Sequence, residues 1–179
     1  LLPDVAMRHA DLTLGRPPAV PAMTGVDAMV HAIEAYTTRH QNHPISDNPA
    51  REALRLLSRN IRTAVHAGKN REARENMLLG ACLAGQAFAN APVAAVHALA
   101  YPIGGTFHIP HGLSNALVLP HVLRLNAPQA GSVYAEIAAD ALPDLAAVDG
   151  GQARPAPPGA ALADLAQRNG LPPRPPRLD

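Results

Sequence analysis

The stretch TGVDAMVHAIEAYTTRH, residues 24–40, decides the fold because it has the pattern of a helix with two non-polar faces. Thr24 followed three residues later by Asp27 has the form of a capping box, which predicts that the first helix begins at Thr24. The larger apolar residues recur at helical spacing on one face, and alanines form the other. The first face comprises Val26, Met29, Val30 and Ile33, and the second comprises Ala28, Ala32 and Ala35.

The composition of the chain favours helices over strands. Its 179 residues are 47% hydrophobic and 16% charged, which fits one domain with a core. Tryptophan is absent and aromatic residues make up only 3%, so alanine and leucine must fill that core. Because β-branched and aromatic side chains dominate strands, this composition predicts an all-α helical bundle.

Charge and cysteine content argue against several classes of function. The formal net charge is +1, which gives no electrostatic basis for binding nucleic acid or an anionic membrane. No run of about 18 consecutive apolar residues occurs, so we expect no membrane span. The single cysteine, Cys82, excludes an internal disulfide framework, and residues 1–12 lack the layout of a secretory signal. We therefore expect a cytoplasmic protein.

Apolar periodicity, prolines and glycines place the remaining elements. Residues 1–142 are predicted to form the helical domain, with a loop-like lead-in over 1–22, and residues 143–179 a Pro/Gly/Ala-rich segment with one short helix at 159–170. Four further helices are predicted from about Pro49 to Gly68, from Arg71 to Asn90, over 93–101, and from Gly112 through Asn126. We expect Pro102, Gly104 and Gly105 to break the fourth helix, and Pro120 to kink or interrupt the fifth.

Four residues of these helices have the chemistry of a metal site. Asp27 and His31 are four residues apart, which places both side chains on one face of the first helix. His97 has apolar neighbours and is expected to point inward, while His111 follows a proline at the start of a helix. One carboxylate and three imidazoles suit Fe(II), Zn(II), Co(II) or Mn(II). The residues alone leave a second interpretation open, in which Asp27 caps its helix and the histidines are ordinary core or surface residues.

Three segments closely resemble the iron-containing (group III) alcohol dehydrogenases in order and spacing: TGVDAMVHAIEAY, VHALAYPIGGTFHIPHG and LSNALVLPHVLRLN. The resemblance extends over roughly residues 1–140. It implies the dehydroquinate synthase-like helical C-terminal domain of that family, in which one Asp and three His bind the catalytic metal. The ligands of Fe2+ or Zn2+ implied by the resemblance are Asp27, His31, His97 and His111.

The resemblance also implies a reaction and further site residues. The full-length enzyme is expected to be a homo-oligomer that transfers a hydride between a small alcohol or aldehyde substrate and NAD(P). Phe88 and Asn90 match a segment near the nicotinamide, although a core Phe88 and a helix-terminal Asn90 are equally compatible with the sequence. Tyr101 stands where many members carry a histidine associated with proton relay. Either the relay runs differently here, which makes Tyr101 a catalytic candidate, or this residue only shapes the pocket.

The Gly-rich pyrophosphate turn of the family's N-terminal dinucleotide-binding domain does not occur in this sequence. We therefore expect a metal-binding domain truncated at both ends, which binds metal but shows no appreciable turnover by itself.

Three other functions fit parts of the pattern. A zinc-dependent polyol dehydrogenase of the glycerol dehydrogenase type uses fewer ligands, which the Asp and three His disfavour. A hydrolytic metalloenzyme needs a carboxylate base, for which Glu34 is the nearby candidate, although an exposed helix face also explains this residue. The third alternative is an inactive helical fragment that binds metal weakly.

Overall fold

The computed structural model describes residues 4–39, 41, 43–92, 94–141, 164 and 166–172. A 3-10 turn, Ala10–Thr13, precedes five α-helices. They are α1 (Ala19–Thr37), α2 (Pro44–His66), α3 (Arg71–Asn90), α4 (Ala95–Phe107) and α5 (His111–Ala141). Every regular element in this part of the chain is helical, which confirms the all-α prediction.

Helix α1 is central to the core. It packs against α2, α3 and α5, while α4 packs against α5. Both predicted non-polar faces of α1 are buried, with exposed fractions from 0% at Ala35 to 6% at Ala28. Leu54 and Leu57 of α2 and Leu119 of α5 complete this core. The sequence therefore identified the correct buried faces of α1.

The predicted starts of the first two helices are wrong. Helix α1 begins at Ala19, and the Thr24 hydroxyl donates to the carbonyl of Val20 from within the helix instead of capping it. Helix α2 begins at Pro44, where His43 is the N-cap and its Nδ1 accepts from the amide of Ile45 at 3.2 Å. A proline near a helix start loses no hydrogen bond, because the first amides of a helix have no intrahelical partner.

The predicted helix breaks are also displaced. Helix α4 continues through Pro102, Gly104 and Gly105 to Phe107, and its C-cap is His108, whose φ of 53° is left-handed. This is the usual helix-ending conformation, here adopted by a residue other than glycine. Helix α5 runs through Pro120 without interruption. Leu119 and Val122 on either side of Pro120 are buried, so packing outweighs the lost backbone hydrogen bond.

The third helix matches its prediction at both ends, Arg71 and Asn90. Most of the predicted segment 143–179 lies outside the described residues, but 164 and 166–168 are helical and Gly170, with φ of 82°, follows them. No single helix of the described chain has the length and apolarity to cross a membrane. By length and composition only, α3 and α4 qualify together as a pair bent by 108°.

Candidate metal centre

The candidate metal centre lies where α1, α4 and α5 meet. Helix α1 contributes Asp27, α4 contributes His97, and α5 contributes His111. The first turn of α5 is held close to α1 because Gly112 has no side chain. A Cβ at this position would lie 2.4 Å from the carbonyl oxygen of Met23. This close approach places His111 opposite Asp27.

Three of the four predicted ligands converge on one point. The Nε2 atoms of His97 and His111 lie 3.7 Å and 3.5 Å from Oδ1 of Asp27. One donor atom from each of the three residues falls within 4.8 Å of the other two. Two donors bound to one cation at about 2.1 Å with a tetrahedral angle lie about 3.4 Å apart. The separations from Asp27 therefore fit a shared divalent cation.

The fourth predicted ligand, His31, lies beside this group and is not one of its three members. Its ring stacks on that of His97, with centroids 4.4 Å apart and planes at 27°. The other neighbouring ring is Phe88, at 5.0 Å and 28°. His31 is therefore adjacent to the three donors, while its ring is held between two others.

The burial of Glu34 differs from the sequence-based expectation. The sequence suggested an exposed helix face, but Glu34 is only 4% exposed. Its Oε2 lies 2.7 Å from Nδ1 of His97, and its carboxylate also accepts from the backbone amides of Ala94 and Val96. A carboxylate bonded in this way is not free to act as a base toward water, which removes the basis of the hydrolytic alternative.

The sequence interpretation missed Asn115. This residue is fully buried on α5, and its Nδ2 donates a hydrogen bond to Oδ1 of Asp27. The same nitrogen lies 3.2 Å from Nε2 of His97 and 3.1 Å from Nε2 of His111. Asn115 thus contacts all three donors of the cluster. Its position one helical turn after His111 is the sequence signal that could have identified it.

Burial and neighbouring charges shift the pKa values of these groups in different directions. Burial by itself lowers the pKa of His97, but its interactions with Asp27 and Glu34 outweigh burial and raise that pKa to about 9. Burial raises the pKa of Asp27, yet the contacts with His97 and Asn115 bring it below its usual value. For His31, burial prevails over the attraction of Asp27 and lowers the pKa. An ionised Asp27 and a neutral His31 are the forms that bind metal.

One side of the centre is open. Tyr101 is 58% exposed, and its ring is stacked on that of His111, with planes at 14° and centroids 5.4 Å apart. Phe88 is 37% exposed, so it is not the core residue that one interpretation assumed. The side-chain Nδ2 of Asn90 donates to the backbone carbonyl of Gln86 at 2.8 Å, as a residue at the end of a helix can do.

The donor chemistry agrees with the geometry. Carboxylate and imidazole donors suit Fe(II), Zn(II), Co(II) and Mn(II), and the described residues place no thiolate among them. Fold and cluster together define a helical domain with a candidate divalent-metal centre.

Comparison with known proteins supplies the family. Residues 21–173 match the C-terminal part of the Fe-containing alcohol dehydrogenase family. Because this match covers most of the sequence, the chain belongs to that family, which confirms the resemblance seen in the sequence.

Individual relatives agree with this assignment. The chain is 46% identical over 137 residues to a 1,3-propanediol dehydrogenase of Klebsiella pneumoniae, a match that covers 76% of this chain and 35% of the relative. A crystal structure of 1,3-propanediol oxidoreductase superposes with a TM-score of 0.86 at 38% identity, covering 96% of this chain and 44% of that one. Sulfoacetaldehyde reductase from Bifidobacterium kashiwanohense in complex with NAD+ superposes with a TM-score of 0.75 at 28% identity, covering 92% and 41%. The chain thus matches about a third of the length of the Klebsiella relative.

Proposed function

We propose that this chain is the metal-binding domain of an NAD(P)-dependent alcohol dehydrogenase, with Fe2+ or Zn2+ as the metal. The observation that carries the proposal is the convergence of Asp27, His97 and His111 from three helices at separations suited to one cation. His31 is the proposed fourth ligand, because it is adjacent to this group. The dehydrogenase and reductase names of the relatives support the reaction class, and the NAD+ complex of one relative supports the cofactor.

Each group has a distinct part in the proposed reaction. When bound, the metal supplies Lewis acidity toward an alcohol or aldehyde oxygen, and the nicotinamide supplies the hydride chemistry. Asp27 contributes the negative charge that balances a divalent cation. The buried His97 gives a fixed donor, while the half-exposed His111 borders the open side through which a small substrate can approach.

Tyr101 and Phe88 are proposed to border the substrate and nicotinamide space, because both are partly exposed and stack on histidines of the centre. Tyr101 has a phenol that can donate a hydrogen bond, but its ordinary pKa of about 10 makes it a weaker base near neutral pH than imidazole. Its proposed role is therefore to shape the pocket and donate a hydrogen bond. Asn90 lies at the end of α3, and we propose only that this end of the helix borders the nicotinamide.

Metal analysis of the purified chain tests the proposal. We expect the wild type to bind Zn2+ or Fe2+ at a single site, and His97→Ala to lose that binding. The matched control is His121→Ala, which removes an exposed histidine of α5 outside the cluster. Absence of metal binding in the wild type would contradict the proposal and favour the inactive-fragment alternative.

Turnover is a separate measurement. With Zn2+ or Fe2+ bound, residues 1–179 alone are proposed to reduce aldehydes with NAD(P)H at a negligible rate, since the family's pyrophosphate-binding turn belongs to its other domain. Robust aldehyde reduction by this chain would contradict that part of the proposal while leaving the metal site intact.

A further inference from the structure

Glu34 joins α1 to the beginning of α4 through three hydrogen bonds. Oε1 accepts from the amide of Val96 at 2.6 Å, and Oε2 accepts from the amide of Ala94 at 3.0 Å. Oε2 also lies 2.7 Å from Nδ1 of His97. Glu34 and His97 are 63 residues apart in the sequence. These bonds therefore connect α1 to α4, two helices that are distant along the chain.

The first two bonds satisfy the beginning of α4. Its N-cap, Ala94, has no side chain that could accept from the free amides of the first turn. Glu34 reaches from another helix to fill this role, and its negative charge is favourable at the positive end of a helix. Glu34 therefore supplies the hydrogen bonds that tie the beginning of α4 to α1.

The third bond orients the imidazole of His97. A proton on Nδ1 that is donated to Glu34 leaves the lone pair of the neutral ring on Nε2, the atom facing Asp27. The His97 side chain is 1% exposed, so the surrounding core also restricts its ring. Carboxylates that orient metal-binding histidines in this way affect metal affinity by about 10- to 100-fold.

We propose that Glu34 is the positioning residue of the metal centre: it fixes the tautomer and orientation of His97 and docks the helix that carries it. This inference rests on the proposed function, because it takes the centre to bind a divalent cation. Glu34 acts through His97 and is not itself a proposed ligand.

Glu34→Gln tests the inference with little change in volume. The side-chain amide of the glutamine keeps one oxygen that can accept hydrogen bonds. Its NH2 group replaces the other oxygen and would face N–H groups at the beginning of α4, so the three bonds cannot all form. We expect Zn2+ affinity, measured by chelator competition, to fall about 10- to 100-fold. The visible absorption of bound Co2+ is expected to change because the orientation of one ligand changes.

Glu136→Gln is the matched control. Glu136 also bridges helices, accepting from the Tyr36 hydroxyl at 2.7 Å and from Arg51 at 3.1 Å, but it lies outside the metal centre. We expect this variant to keep the wild-type Zn2+ affinity and Co2+ spectrum. Equal Zn2+ affinity and an unchanged Co2+ spectrum in Glu34→Gln would overturn the inference.

A second measurement needs no variant at position 34. In the wild type with Zn2+, 15N chemical shifts of the His97 ring, assigned by comparison with His97→Gln, should show a protonated Nδ1. An unprotonated Nδ1 would refute the positioning role even if Glu34→Gln did not fold. Wild-type protein that binds no Zn2+ would instead refute the proposed function, so the two failures are distinguishable.

Discussion

Gly112→Ala tests whether the close approach of α5 to α1 builds the candidate metal centre. The new Cβ would lie 2.4 Å from the carbonyl oxygen and 2.8 Å from the carbonyl carbon of Met23, whereas ordinary contact begins at 3.4 Å. Both atoms belong to the backbone of α1, so no side-chain rotation relieves the overlap. The first turn of α5 must therefore move about 1 Å away from α1 to regain ordinary contact distance.

The size of the effect follows from two opposing contributions. Overpacking of this kind destabilises proteins by about 1–3 kcal/mol, while alanine is favoured over glycine inside a helix by about 0.5–1 kcal/mol. We expect a net loss of about 1–2 kcal/mol, which in a chain of this size lowers Tm by about 2–8 °C. The shift also moves His111 away from Asp27, and metal sites tolerate errors of only about 0.2 Å in ligand distance.

Urea denaturation of the metal-free protein and Zn2+ affinity measured by chelator competition check this prediction. The control is Gly131→Ala, because Gly131 also lies in α5 but a Cβ there has no neighbour within 4 Å. We expect the control to be neutral or slightly stabilised, with unchanged affinity. If Gly112→Ala matches the control in stability and affinity, the inferred contact between α5 and α1 is refuted.

Four further predictions concern the centre and its surroundings. The raised pKa of His97, about 9, means that a proton competes with metal at neutral pH, so Zn2+ affinity should rise about tenfold per pH unit between pH 6 and 8; constant affinity over that range would contradict it. The same shift stabilises the metal-free fold below the ordinary histidine pKa of about 6.5, and this contribution should disappear as pH rises through 9, which denaturation at pH 6.5 and 9.5 measures. Asn115→Ala should raise the Zn2+ affinity measured by chelator competition, because the side-chain nitrogen that contacts the donor atoms of Asp27, His97 and His111 no longer competes with the cation for them. Tyr101→Phe should change neither affinity nor stability by a measurable amount, since the phenol is exposed.

Local sequence patterns were sufficient to predict the helical class and the buried faces of α1. Apolar periodicity reports which side of a helix meets the core, and this is largely independent of where the helix begins. The boundaries of α3 were also predictable, because Asn70 caps its first turn through a bond from the amide of Ala73. The other helix boundaries depended on prolines and glycines, and local sequence does not show whether such a residue interrupts a helix or is tolerated in it.

Prolines and glycines caused most of the errors. Pro44 and Pro21 lie near the starts of their helices and do not interrupt them, and Pro120 is retained inside α5 by buried neighbours. Gly104 does not end α4. A Cβ there would come within 3.3 Å of the carbonyl oxygen of Ile109, so its small size serves close packing against the following segment.

The candidate site was predictable in its donors but not in the residues that support them. Residue type, spacing and family resemblance predicted Asp27, His97 and His111, whose donor atoms the fold brings within 4.8 Å of one another. Glu34 was interpreted as exposed, since helical spacing from His31 does not reveal which neighbouring helix covers that side. Asn115 was missed because its interaction with Asp27 joins residues 88 positions apart, and only the assembled helices bring them together.

The distribution of the donors over α1, α4 and α5 has a kinetic consequence. Metal can bridge these helices only after all three have assembled, and such long-range contacts form late when a chain folds. Bound metal therefore stabilises the native state more than the transition state for folding. We expect saturating Zn2+ to slow the unfolding of this domain while leaving its refolding rate nearly unchanged. The cation would then stabilise the folded state kinetically without directing how it forms.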